Sequence, residues 1–213
     1  MKNIEMKRKS IFIIIFMLSM QFSHSQIIDK YGFNIGLSYS TQLWDHKMMN
    51  TDFDYKFGLM SFLSAEKYFG RFGLRTEIGY IQKGFKDKME LRAVDGKPLR
   101  IEKNNEVLHN LATNVGLKVH PIKFDNSPYI FVGIRGDYLI SHKKNGWYEP
   151  VIDEFTKFNF GGLLGVGIDF KELFYFEIEY NPCFTNNLDN GMIKIKDNCF
   201  GIKFGVNINK LIK

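Results

Sequence analysis

Proline and cysteine are scarce in this sequence, with 5 and 2 occurrences among 213 residues. Low proline beside 21 Phe and 10 Tyr, an aromatic share of 15%, argues against a disordered chain or a helical bundle and for β structure. Two cysteines allow at most one disulfide. Beyond Gln26 no apolar run approaches the ~20 residues that a transmembrane helix needs. No basic cluster remains there either, although the formal charge is +6. Lys2, Lys7, Arg8 and Lys9 less Glu5 carry a net +3 of that charge, which leaves +3 for the rest of the chain and nothing to recruit nucleic acid. The length suits one domain rather than two.

The N-terminal residues behave as a unit of their own. Four basic residues precede an apolar run from Ile11 to Met20, and Ser23-His24-Ser25 offers small residues at the two cleavage positions. Residues 1–25 read as a secretory signal peptide cut before Gln26, and residues 26–213 as the exported domain.

What the exported part does contain is alternation with period two, in eight runs separated by turn signals. They lie near Tyr31–Leu43, Tyr55–Phe69, Arg71–Phe85, Glu106–Pro121, Pro128–His142, Phe155–Phe170, Leu173–Phe184 and Asn198–Asn209. In the first, Tyr31, Phe33, Ile35, Leu37 and Tyr39 share one face, while Gly32, Asn34, Gly36, Ser38 and Ser40 share the other. The eighth sets Phe200, Ile202, Phe204, Val206 and Ile208 against Gly201, Lys203, Gly205, Asn207 and Asn209. Only the second run is untidy, with Met60 and Phe62 on the face where polar residues are expected.

The connections alternate as well. Long polar segments follow the odd runs and short ones the even runs, which is the plan of an outer-membrane barrel with long loops outside and tight periplasmic turns. The polar face is rich in Gly, Asn and Ser, which suits a crowded lumen better than a water-facing surface. The apolar face carries aromatic residues at both margins, as lipid girdles do. These features predict an all-β fold, an eight-stranded antiparallel up-and-down transmembrane β-barrel. A secreted soluble β-protein, with the apolar face as its core, is the alternative.

Three segments, "FNIGLSYS", "LATNVGLKVHPIKF" and "GGLLGVGIDFKELFYFEIEYNPCFTN", run through the first strand, the middle turn, and the sixth and seventh strands. On these the chain resembles the PorT-type outer-membrane β-barrel family, over most of its exported length. The resemblance implies a non-enzymatic barrel, with some relatives linked to the secretion of other proteins.

The stretch Phe174-Tyr-Phe-Glu-Ile-Glu-Tyr180 tests for chemistry. Glu177 and Glu179 share a strand face about 6.6–6.8 Å apart, close to the carboxyl separation of an inverting glycosidase. Parity places both in the lumen, however, and a barrel of eight strands is filled by side chains with no room for a sugar. Arg75, Glu77, Lys118, Arg135, Asp137 and Lys203 fall on the same inner face. Four basic and four acidic groups therefore predict a neutral, paired lumen network. Cys183 and Cys199 also point inward. A disulfide between them would make opposed positions in the seventh and eighth strands sum to 382, placing Glu179 opposite Lys203.

Other motifs are weak. Gly162-Leu-Leu-Gly165-Val-Gly167 lacks the helix and the Lys-Ser/Thr of a phosphate loop. His46, His109, His120 and His142 show no metal-ligand spacing, and Ser141-His142 has no recognisable third partner for lipid hydrolysis. No cofactor and no metal is expected. Among the loops, Asp87–Lys103 is charged and long enough for a hairpin above the membrane, and Trp147 and Tyr148 offer aromatic contacts to a partner. The sequence thus predicts a monomer in outer-membrane lipid, in contact with other envelope or surface proteins and not with nucleic acid. A secretion-apparatus component and a narrow ion pore are alternatives.

Overall fold

The computed structural model describes residues 28–46, 50–92, 98–122, 126–143 and 148–210. Residues 1–25, expected from the sequence to be a signal peptide, and Trp147 lie outside the described residues. Eight long strands carry the fold: β1 (Lys30–His46), β2 (Asp54–Phe69), β3 (Phe72–Arg92), β4 (Pro98–Val119), β5 (Asn126–His142), β6 (Phe158–Phe170), β7 (Phe174–Pro182) and β8 (Ile193–Asn207). Each pairs antiparallel with the next, and β8 returns to β1 in a ladder from Gly32↔Asn207 to His46↔Ile193. The sheet closes on itself as an up-and-down barrel. The short strands Asn50–Asp52 and Leu188–Asp189 extend it beside β1 and β8.

Period-two alternation decides which face each residue takes. Phe33, Ile35, Leu37, Leu59, Ile78, Val132, Ile134, Val166 and Ile202 all stand on the outside, with Leu59 62% exposed. Asn34, Ser38, Arg75, Glu77, Asn114, Arg135, Glu177 and Lys203 are buried inside. A soluble barrel would reverse this arrangement, so the soluble alternative fails: the apolar face is the outer wall, and only lipid can cover it at low cost.

Met60 and Phe62 correct the reading of the second run. Both point inward, with Met60 2% and Phe62 1% exposed, and join Ile81, Ala112 and Cys199 in an apolar cluster within the lumen. The register against β1 is regular there, and that against β3 is regular from Met60 onward after a shift between Tyr55 and Met60; the lumen itself is partly apolar. Glycines give the large inward rings their room. A Cβ on Gly205 would lie 2.0 Å from the Tyr175 ring, and one on Gly167 would lie 2.4 Å from that of Tyr129.

The short turns lie at one end of the barrel. Phe170 to Leu173 forms a two-residue hairpin loop closed by Leu173 N–H donating to Phe170 O at 2.9 Å. Its central residues, Lys171 and Glu172, hold φ of 47° and 58°. That left-handed pair is the turn that matches strand twist, and it ordinarily recruits Asn-Gly. At the other end β3 and β4 run far past the sequence-predicted boundaries, Phe85 and Glu106. Their ladder continues through Lys86↔Asn105 to Arg92↔Pro98.

Candidate functional site in the lumen and mouth

The lumen charges are contributed from strands all around the wall. At mid-height Arg75 on β3 reaches across to β7, its Nη1 donating to Glu177 Oε2 at 2.6 Å, and its Nη2 donates to Glu77 on the same strand. Lys203 Nζ on β8 lies 3.0 Å from Glu77, 2.9 Å from Glu177 and 2.6 Å from Glu179. Neutral donors complete the carboxylate shells: Tyr129 OH donates to Glu177 at 2.8 Å, and Asn114 Nδ2 to Glu77 at 2.8 Å. The Arg75 guanidinium also lies over the Phe131 and Tyr175 rings, at 5.1 and 4.9 Å.

Two further groups flank this centre. Toward the short turns, Lys118 pairs with Asp169 at 2.9 Å and Glu66 at 3.4 Å, and His120 Nε2 lies 3.0 Å from Asp169. Toward the long loops, Arg135 Nε donates to Asp137 at 2.8 Å, and Lys83 Nζ to the same carboxylate at 2.7 Å. Arg135 Nη1 stands 3.7 Å from Glu179, linking the outer group to the central one. The eight lumen residues named from the sequence thus lie in a continuous set of ion pairs. Sequence reasoning left out Glu66, Lys83, Asp169 and Asp197. With these, the described ion-pair network holds seven carboxylates against five Lys and Arg side chains, and not the four-to-four balance expected.

The cysteine expectation is corrected. Cys183 and Cys199 are both free thiols. β7 and β8 pair as Cys199↔Asn181 and Lys203↔Glu177, so opposed positions sum to 380, and Cys183 instead bridges to Gly161. A register error of two residues keeps every side chain on its face, which is why Glu179 still meets Lys203, now diagonally.

The long-loop end is closed by aromatic rings. Trp44, Phe53, Phe85 and Tyr148 interlock, with centroids 5.1 Å apart for Trp44–Phe53, 4.4 Å for Phe53–Phe85 and 5.3 Å for Trp44–Tyr148. Beside them a one-turn helix, α1 (Glu149–Asp153), inserts Ile152 among Leu108, Phe155, Leu188 and Ile195. Tyr148, which the sequence offered as a partner contact, is half-buried and packs its ring against this apolar mouth. Its hydroxyl donates to Asp87 Oδ2 at 2.5 Å. Burial, reinforced by that carboxylate, pushes its pKa well above the ordinary tyrosine range.

With closure, outward apolar faces and long loops established, one comparison decides the family. Residues 23–189 match the model of the outer membrane protein beta-barrel domain. The chain belongs to that family. It is an outer-membrane β-barrel, and the wall just described is its lipid-facing belt. No curated protein matches it in sequence. Among solved structures it is similar to OprG from Pseudomonas aeruginosa, at 12% identity and a TM-score of 0.43, covering 85% of this chain and 98% of that one. Neisserial surface protein A is similar at 9% identity and a TM-score of 0.41, covering 82% and 96%. Ail of Yersinia pestis, solved with the heparin analogue sucrose octasulfate, gives 13% and 0.35, covering 83% and 99%.

Proposed function

We propose that this outer-membrane barrel is a closed, non-enzymatic protein that acts through its extracellular side. In this reading a signal segment cleaved before Gln26 exports it, and its partners are membrane lipid and another envelope or surface protein. The β3–β4 hairpin carries the proposal. Beyond Lys86 the strand β3 has lost its β2 partner, and beyond Leu108 β4 has lost β5, yet six further pairs follow from Asp87↔Asn104 to Arg92↔Pro98. At ~3.4 Å per residue these pairs extend the hairpin about 20 Å, and among the described residues no further strand pairs with either edge. Such edges pair readily with a strand from another protein.

The filled lumen favours this reading over a narrow ion pore. Arg75, Lys118, Arg135 and Lys203 are fully desolvated on paired carboxylates, and aromatic rings cover the mouth. It also favours a non-enzymatic role, since Glu177 and Glu179 are committed to Arg75 and Lys203. The resemblance to PorT-type barrels supports a narrower version, in which the partner belongs to a secretion apparatus.

Crosslinking mass spectrometry on intact cells tests the proposal. Crosslinks from Lys88 and Lys103 to one other envelope protein are expected, and these disappear when residues 88–102 are replaced by a two-residue turn. Crosslinks confined to this chain would refute it. In planar bilayers the folded protein should pass no current, and discrete openings would restore the pore.

A further inference from the structure

The sequence shows no metal-ligand spacing around any histidine, but folding brings one such set together. His142 ends β5, while Glu149 and Asp153 lie four residues apart on α1, a separation that places both on one helix face. One ligand atom from each of the three lies within 4.8 Å of the other two. His142 Nε2 is 3.2 Å from Asp153 Oδ1. Two ligands bound at ~2.0–2.1 Å in tetrahedral geometry stand about 3.4 Å apart, so that edge of a coordination shell is already formed.

A second observation comes from the neighbouring strand. His142 pairs with Leu108, which puts Glu106 one inward position further along β4, beside the imidazole. Glu106 is 1% exposed and its Oε2 has no hydrogen-bond partner. It lies within electrostatic reach of both His142 and Glu149. His142 Nε2 is likewise buried without a hydrogen bond, despite its distance from Asp153. Buried polar atoms are normally satisfied, and a bound cation satisfies an imidazole nitrogen and a carboxylate oxygen together.

We propose that His142, Glu149 and Asp153 bind a divalent transition-metal cation at the barrel mouth, with Glu106 as the buried carboxylate behind it. One imidazole with several carboxylates suits Zn²⁺ or Co²⁺ better than Ca²⁺, which takes an all-oxygen shell. The cation clamps α1 to the end of β5. Because α1 carries Ile152 into the mouth, metal binding holds the apolar plug in place.

The test uses the tag-free mature protein folded in detergent, titrated with CoCl₂ and ZnCl₂ by calorimetry and absorbance. One metal ion per chain is expected, with affinity at least ten-fold weaker in Asp153→Asn and in His142→Ala, and unchanged in His109→Ala. Asp153 is exposed, so its variant keeps the result readable if His142→Ala folds poorly. Zn²⁺ should also raise the unfolding temperature of the wild type and not that of Asp153→Asn. Equal affinities in wild type and both variants overturn the proposal. So does a thiolate-to-cobalt charge-transfer band, which would assign the metal to Cys183 or Cys199.

Discussion

Replacing Lys203 by Met removes a lumen cation that touches three carboxylates, two of which it shares with Arg75. Its ammonium is fully buried and lies 3.0 Å from Glu77, 2.9 Å from Glu177 and 2.6 Å from Glu179. Arg75 still holds the first two, but Glu179 keeps only an Asn181 Nδ2 donor at 3.1 Å and Arg135 at 3.7 Å. Removing one partner of a buried ion pair typically costs 3–5 kcal/mol, because the remaining charge stays desolvated. A loss of about 4 kcal/mol is therefore expected. Adding Glu179→Gln to Lys203→Met should recover ~1–3 kcal/mol of it, as coupled neighbours do. Urea unfolding in phospholipid vesicles, followed by tryptophan emission and gel mobility, measures both values. If Lys203→Met stays within ~1 kcal/mol of wild type at an unchanged m-value, water must reach the lumen, and the picture of a dry, paired network is wrong.

Substituting Lys171→Asn together with Glu172→Gly should stabilise the barrel by about 1 kcal/mol, since each native residue holds a left-handed conformation disfavoured for its side chain; a loss of stability in the same urea assay would contradict the turn geometry. Both cysteines should alkylate after denaturation without reductant, and mass spectrometry finding an intramolecular disulfide would refute the 380 register. At the short-turn rim, the Tyr68 backbone N–H and Lys67 hold Asp29 below the usual aspartate range. A depressed carboxyl pKa stabilises the fold above the unfolded value and loses that effect as pH falls through the folded one. The stability gap between wild type and Asp29→Asn should thus be full at neutral pH and close below about pH 3.8; a gap that persists in acid would show that the carboxylate's charge plays no part.

Strand number, topology and facing were legible because a membrane barrel imposes one rule on every strand. Leu59 and Ile134 must meet lipid and Arg75 and Lys203 must not, so composition alternates strongly enough to read. Register was not legible, because a slip of two residues leaves that alternation untouched. The assumed Cys183–Cys199 pair therefore moved Glu179 opposite Lys203 without creating any visible conflict. Met60 and Phe62 misled for a different reason: the lumen is sealed from lipid, so apolar side chains there obey packing and not the alternation rule. The hairpin at Asp87–Lys103 was legible from its length and charge, but its ladder register was not, because strands above the membrane need no lipid-facing row. The His142, Glu149 and Asp153 cluster had no sequence signal beyond the i, i+4 carboxylates, since a strand end and a helix meet only in the folded mouth.

The longest ion pairs join strands that are not neighbours. Arg75 on β3 meets Glu177 on β7, 102 residues away, and Lys203 on β8 meets Glu77 on β3, 126 residues away. Neither contact can form while the sheet is an open ribbon, whatever hairpins have already zipped. Until β8 finds β1, the inner face is a strip of charge paired only within a strand or with the adjacent one, which hydrocarbon would reject. Membrane entry and ring closure are therefore bound into one event, and its reverse requires several charges to part together. The network acts as a latch on the rate of opening: once shut, the barrel is held by kinetics as much as by equilibrium.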